Sequence, residues 1–327
     1  MKKILICGAT GFIGRNLINY FLNKKSYKVF ATFNNKKPFD SNKFVENVSW
    51  IKANLLNQND VVNALKNKDI VIQAAATTSG SKDIIQRPYI HVTDNAIMNS
   101  LLLRESLNTG IEHFIFFSCS IMYQSSDMPI KEDQWDPRQK INQNYFGAAH
   151  TKLYIEKMLD FYSRISDMKT TAIRHSNVYG PFDKYDLEKS HVFGASLTKV
   201  MSSDDEIIVW GDGQVKRDLI HVQDLCRLVD MLIKFQESKF KIYNCGSGNL
   251  ISVKQLLKKM IKLSQKDLKL IFDSQKPSIN SSILLDNTLV KQEIGWYPEI
   301  SLEQGIKDTM KWWSDNINPD TLQLTHK

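Results

Sequence analysis

Gly8-Ala9-Thr10-Gly11-Phe12-Ile13-Gly14 stands directly after the apolar run Lys3–Cys7 and opens the amphipathic segment Gly11–Leu22. Three glycines at this spacing between a strand and a helix leave the chain few folds. The first permits a tight turn, the second lets backbone N–H groups approach a phosphate, and the third lets helix pack closely on strand. The loop therefore points to the pyrophosphate of a dinucleotide, held by Gly8, Thr10, Gly11, Phe12, Ile13 and Gly14, and to a doubly wound α/β fold.

The rest of the first half agrees with that expectation. Strand-length apolar runs at Lys28–Phe33, Val48–Lys52, Ile70–Ala74, His113–Ser118 and Thr170–Arg174 alternate with helical patterns at Asp60–Leu65, Asp94–Leu107 and Ala148–Tyr162. Such alternation predicts a parallel sheet covered on both faces. After about Asn177 it gives way to loops around Gly180-Pro181 and Gly211-Asp212-Gly213, then to helices at Val222–Phe235 and Val253–Leu263. The division expected is a Rossmann-type dinucleotide-binding domain over 1–176 and a smaller α/β substrate lobe over 177–327, with the chain crossing back to the sheet around 215–245. Only the tail after Trp313 reads as loosely held.

Composition narrows the class of function. Lys and Arg exceed Asp and Glu to give a net charge of +8, yet they are scattered among acids without a basic block or zinc-finger spacing, which argues against nucleic acid. No run approaches the roughly 18 apolar residues of a membrane span, and the amino end lacks a secretory pattern, so a cytoplasmic protein is expected. Cys7, Cys119, Cys226 and Cys245 lie far apart and show no C-x-x-C, so neither a metal site nor a disulfide framework is expected.

The end of the second strand bears on the choice of cofactor. An acid there would bind the ribose 2′-OH of NAD, whereas the chain reads Asn34-Asn35-Lys36-Lys37. Asn34, Lys36 and Lys37 suit a 2′-phosphate, which favours NADP and leaves NAD open. Asn54-Leu55 falls where an adenine contact is expected, and Ala74-Ala75-Ala76 is small enough to let the cofactor pass.

Four further segments carry a resemblance: Ser118-Cys119-Ser120-Ile121-Met122-Tyr123, Asn177-Val178-Tyr179-Gly180-Pro181, Trp210-Gly211-Asp212-Gly213, and Arg217-Asp218-Leu219-Ile220-His221-Val222. With the glycine loop they resemble the extended short-chain dehydrogenase/reductase family, the epimerases, dehydratases and reductases of nucleotide sugars. The likeness runs to Gly295-Trp296-Tyr297-Pro298. Ser190-His191-Val192 and the Gly295-Trp296-Tyr297 segment resemble most the GDP-fucose synthases, which are epimerase-reductases of 4-keto-6-deoxy sugars.

The resemblance implies a Tyr and a Lys four residues apart on one helix face, exchanging a proton with the sugar oxygen while hydride moves to or from the nicotinamide. Lys152 is that Lys, and Ala148 stands where the Tyr is expected. Ala has no proton to give. The chain therefore reads as a Tyr→Ala catalytic variant, with a natural enzyme using another acid and a non-catalytic dinucleotide-binding regulator as open alternatives. The nearest tyrosine, Tyr145, is seven residues before Lys152.

Two more departures concern the reacting centre. The hydroxyl expected four residues before Tyr123 is Cys119, flanked by Ser118 and Ser120, so Ser120 supplies it if the turn is shifted by one. His191 matches the proton-moving His of the epimerase-reductases, but Ile121 replaces its Cys partner. That substitution favours reduction without epimerisation, while a 4-epimerase or dehydratase that retains its cofactor stays open. The resemblance further implies Ser118, Lys152, His175 and Val178 at the cofactor, and Thr78, Asn177, His191, Val192, Lys199, Trp210, Arg217 and Lys276 at the substrate. It also implies a homodimer built on the helices at 94–107 and 148–162, to which Ile97, Leu101, Leu102, Leu153, Met158 and Phe161 would contribute. GDP is the first choice of nucleotide and CDP the second.

Overall fold

The computed structural model describes residues 1–36, 47–77, 88–187, 190–275 and 281–317. Lys37, Thr78 and Lys276 lie outside the described residues. Through the first half the chain alternates β1 (Lys2–Cys7), α1 (Phe12–Leu22), β2 (Tyr27–Phe33), β3 (Ser49–Lys52), α2 (Gln58–Leu65), β4 (Ile70–Gln73), α3 (Thr93–Thr109) and β5 (His113–Phe117). A short strand β6 (Ser126–Ile130) precedes α4 (Phe146–Arg164) and β7 (Lys169–His175).

The second half carries β8 (Asn177–Tyr179), α5 (Val192–Ser202), β9 (Glu206–Trp210), β10 (Lys216–His221), α6 (Val222–Phe235) and β11 (Phe240–Cys245). It ends with β12 (Leu250–Ser252), α7 (Val253–Ser264), β13 (Lys269–Asp273), β14 (Ile283–Leu285), α8 (Thr288–Ile294) and α9 (Leu302–Asn316).

Seven parallel strands form one sheet in the order β11-β7-β5-β4-β1-β2-β3. This is the Rossmann-type doubly wound sheet read from the sequence. The central strands β1, β4, β5 and β7 bury both faces, because successive side chains alternate. Ile4 and Ile6 of β1 join a core with Leu17 and Phe21 of α1 and Leu225 and Leu228 of α6. Leu5 and Cys7 point the other way, to Val61 and Leu65 of α2, Leu102 and Leu103 of α3, and Ile155 and Leu159 of α4.

The strand β11 was not among the sequence-derived strands. It pairs with β7 from Phe240↔Thr170 to Cys245↔His175, after α6 has returned the chain to the sheet. A separate core joins Leu197 and Val200 of α5 to Ile207 and Val209 of β9, Leu257 and Met260 of α7, and Ile306 and Trp313 of α9. The loosely held tail expected after Trp313 is corrected in part, since α9 continues to Asn316 with Trp313 buried in that core. Residues 318–327 lie outside the described residues.

The segment Gly295-Trp296-Tyr297-Pro298 is a structural tie. Trp296 is fully buried, its indole N–H donates to the Asp224 carbonyl at 3.0 Å, and the backbone N–H groups of Glu299 and Ile300 donate to the Asp224 carboxylate at 2.9 and 3.0 Å. A buried carboxylate held by two backbone donors fixes the start of α6 against the loop before α9.

The helices α3 and α4 pack on one another. Leu102 and Leu153 are spent on the chain's own core, a correction to their expected place at an outer surface, whereas Ile97 and Phe161 are exposed. No described helix is long and apolar enough to cross a membrane.

Candidate active site

The glycine loop folds as its spacing requires. Gly8 has φ +70°, and a Cβ there would lie 2.5 Å from the Ala75 Cα, so the loop and the chain leaving β4 touch backbone to backbone. A Cβ on Gly14 would lie 2.3 Å from the Gly8 carbonyl oxygen, which seats α1 against the loop. Gly11 is the N-cap of α1 and offers no side chain to the N–H groups of the first turn. Those donors and the positive end of an eleven-residue helix make a cradle for an anion. The loop is braced from behind, where the N–H of Gly8 donates to Thr32 Oγ1 at 3.2 Å. These residues fit a dinucleotide pyrophosphate.

At the end of β2, Asn34, Asn35 and Lys36 are exposed and no acid is present. Burial of its stem lowers the Lys36 pKa, and the cations Arg15 and Lys184 lower it further, so the three positive charges share one neighbourhood. Arg15 also lies 5.6 Å over the ring of Phe182. Neither Arg15 nor Lys184 was singled out from the sequence. Arg15 lies on α1, and Lys184 comes from the loop after Gly180-Pro181.

The expected adenine contact is placed at the mouth of β3. There the Asn54 amide oxygen accepts from the N–H of Leu56 at 3.1 Å, while Leu55 is buried among core side chains. Ala74, Ala75 and Ala76 follow β4 as read, with Ala75 against Gly8.

Beyond the sheet's carboxyl edge, Lys152 Nζ on α4 donates to the Phe117 carbonyl oxygen at 2.6 Å and lies 4.5 Å from the Phe116 ring centroid. Burial lowers its pKa, with Cys119 and Glu156 opposing. Ala148 stands one turn before it, half-buried. The helix reaches further back than expected: it begins at Phe146, and Tyr145 is its N-cap. Burial raises the Tyr145 phenol pKa, Arg217 opposes this, and Cys119 adds to it.

The residues after β5 divide between support and site. Ser118, assigned to the cofactor, is fully buried and donates through Oγ to Glu156 Oε1 at 2.7 Å. Glu156 also receives the Arg174 guanidinium at 2.7 Å in a buried ion pair, and Arg174 donates to the Tyr123 hydroxyl at 2.7 Å. This network lies beneath the site and holds the end of β5 to α4 and β7. Cys119 is half-buried, its thiol raised by burial and lowered by Lys152. Ser120 is buried, and its side chain makes no hydrogen bond among the described residues.

His175 ends β7 with its Nδ1 2.8 Å from the Ser176 carbonyl oxygen, and burial above all, aided by Lys152 and His191, pulls its pKa down to about 4. The imidazole is neutral at physiological pH. His191 is the exposed N-cap of α5, and the protein around it and Lys184 lower its pKa also. Val178 lies on β8 and packs toward the sheet core, while Asn177 turns its amide to the Asp218 carbonyl at 3.2 Å.

Four of the residues expected at the substrate, Val192, Lys199, Trp210 and Arg217, lie about one cavity, which Asn177 and His191 do not line. A cavity of about 200 Å³ between α5, β9 and β10 is lined by Val192, Lys199, Trp210, Arg217, Val209 and Leu257 among others. Lys199 Nζ donates to the Ile208 carbonyl at 2.7 Å and stands 5.8 Å over the Trp210 ring, which is 40% exposed. Arg217 donates to the carbonyls of Lys216 and Ser281 at 2.8 and 2.5 Å. A flat aromatic face beside two cations suits a base or ribose followed by phosphate. The Tyr145 phenol is shifted by Arg217, which lines this cavity, and by Cys119, which also acts on Lys152. Among the described residues no group of His, Cys, Asp and Glu is placed to hold a metal ion.

Comparisons with known proteins agree with this geometry. The chain is 26% identical over 326 residues to the GDP-L-colitose synthase of Yersinia pseudotuberculosis, covering 97% of this chain and 100% of that one. It is 25% identical over 318 residues to the dTDP-4-dehydro-6-deoxy-D-allose reductase of Streptomyces bikiniensis, covering 95% and 96%. Among solved structures, the UDP-glucose 4-epimerase of Thermotoga maritima with UDP-glucose superposes with a TM-score of 0.83 at 24% identity, covering 96% of this chain and 99% of that one. The model of the NAD dependent epimerase/dehydratase family matches residues 4–246, from β1 to just past β11, and the chain belongs to that family.

Proposed function

We propose that the chain is an NADP-dependent reductase of a nucleotide-diphosphate-linked 4-keto-6-deoxy sugar, serving the synthesis of surface polysaccharide. The observation that carries this reading is the gathering of Val192, Lys199, Trp210 and Arg217 about one cavity, in a chain that also carries the dinucleotide loop and Lys152 beside the carboxyl end of β5. Bound nicotinamide would supply or accept hydride. The residues of the chain would place the sugar carbonyl, with Ser120 offering a hydroxyl and Lys152 a cation nearby.

Relatives named for GDP-L-colitose, GDP-L-fucose and the reduction of a dTDP-4-dehydro-6-deoxy sugar support a keto sugar as substrate. GDP remains the first choice of nucleotide and CDP the second. Ile121 in place of a proton-moving Cys supports reduction without epimerisation. The cluster of Arg15, Lys36 and Lys184 supports NADP over NAD, because a 2′-phosphate would meet cations there.

A second reading, an epimerase that keeps its cofactor, is favoured by relatives such as the GDP-mannose 3,5-epimerase of rice. Turnover with NADPH and a panel of GDP-, CDP-, UDP- and dTDP-linked 4-keto-6-deoxy sugars tests the first reading. Consumption of NADPH with one of them is expected, and none with any would contradict it. We also propose a homodimer through α3 and α4, whose exposed Ile97 and Phe161 suit a helix-to-helix interface. Sedimentation should show a dimer that Phe161→Glu weakens.

A further inference from the structure

The stripe of α4 that faces the reacting centre is not empty of acid. With 3.6 residues per turn, positions 145, 148 and 152 lie on one face of the helix, and 145 and 152 differ by only about 20° of rotation. Tyr145 is the N-cap of α4, one position before the helical backbone begins, so it stands at the amino end of that face. Its neighbours Asn144 and Phe146 are exposed, whereas Tyr145 is half-buried, so its ring turns inward. Inward lie Cys119 at the end of β5 and Arg217 of the nucleotide cavity, both close enough to act on the phenol, and Cys119 acts on Lys152 as well.

Resting on the reductase reading above, we propose that Tyr145 delivers the proton to the sugar carbonyl oxygen in place of the missing residue at 148, so that the chain is a working enzyme with Ala148 in place. In that step the phenol O–H breaks and a new O–H forms on the carbonyl oxygen, while the carbonyl carbon gains a C–H bond from hydride of NADPH. The ketone is reduced to an alcohol and NADPH is oxidised to NADP. The phenolate left on Tyr145 is stabilised by the Arg217 charge and regains its proton from solvent.

Burial raises the phenol's pKa and the Arg217 charge opposes it, so Arg217 is the group that favours release of the proton. A tyrosine from the amino end of the helix also reaches the sugar from the side of Arg217. The acid would thereby be placed next to the diphosphate subsite, so that a correctly seated nucleotide would be required for proton transfer.

The test compares the chain as it stands with Tyr145→Phe, Ala148→Tyr and the double variant, by NADPH oxidation over the nucleotide-sugar panel and by NADPH binding. The expected result is activity in the unaltered chain, a loss of about 10²- to 10⁴-fold in Tyr145→Phe with NADPH binding intact, and recovery in the double variant. A readout independent of turnover is the tyrosinate absorbance difference between the chain and Tyr145→Phe. It should place this phenol above the ordinary value of about 10, and higher still in Arg217→Gln. An active chain indifferent to Tyr145→Phe, or a phenol that titrates normally and ignores Arg217, would overturn the proposal and leave the reductase reading standing. A dead chain revived by Ala148→Tyr would also overturn it, in favour of a Tyr→Ala variant. Silence of every variant on every substrate would overturn the reductase reading and the proposal with it.

Discussion

Lys152 is tied to Phe117: its Nζ donates to the Phe117 carbonyl oxygen at 2.6 Å, joining the middle of α4 to the carboxyl end of β5. The same ammonium neighbours Cys119 and His175, so one cation serves both to fix the helix and to charge the site. Lys152→Met keeps the stem's packing and removes both. The expected outcome is a fall in kcat of at least about 10²-fold with a loss of stability of about 1.5–3 kcal/mol for the charge-assisted hydrogen bond. Steady-state kinetics and urea unfolding check the two parts separately.

Arg15 and Lys36 should decide between the cofactors. Each would give a charge-assisted bond to a 2′-phosphate and nothing to a 2′-hydroxyl. Replacing either by Ala should weaken NADPH about tenfold while leaving NADH within about twofold of its starting affinity. Fluorescence titration of the two reduced cofactors measures this directly.

Three histidines held in protein surroundings should make the fold sensitive to acid. Burial depresses His113 to about 3, and His175 and His221 to about 4, against about 6.5 in the unfolded chain. A depressed folded pKa means that the unfolded chain takes up the proton first. The stability these groups contribute is therefore present above about pH 6.5 and is lost as pH falls toward their folded values. Each should cost about 1.4 kcal/mol per pH unit over that window. Unfolding midpoints measured between pH 7 and pH 5 should fall steeply, and His113→Gln should flatten part of the slope.

The glycine loop was legible because its chemistry is local: a strand, three glycines and a helix lie in one stretch of chain. The sheet was legible for the same reason, save β11. Phe240–Cys245 follows α6 and reads as one short mixed segment until its pairing with β7 is seen. The cation cluster was half legible, since Lys36 ends a strand whereas Arg15 and Lys184 reach it only through tertiary folding. Trp296 shows the opposite error. It stood in a segment used for the family likeness, yet its role is to hold Asp224 and the start of α6. Tyr145 seemed too far from Lys152 because the helix was expected to begin at Ala148, two residues after its observed start.

The most direct measurement of the proposed reaction follows the hydride. The chain would be incubated with NADPH carrying deuterium at the transferable C4 position and with the best substrate of the nucleotide-sugar panel. The product would be examined by mass spectrometry and proton NMR. Reduction predicts one deuterium at C4 of the sugar and one NADP released per product molecule. A sugar converted without deuterium and without NADP release would contradict it, and would assign the chain to the epimerases that return the hydride they take.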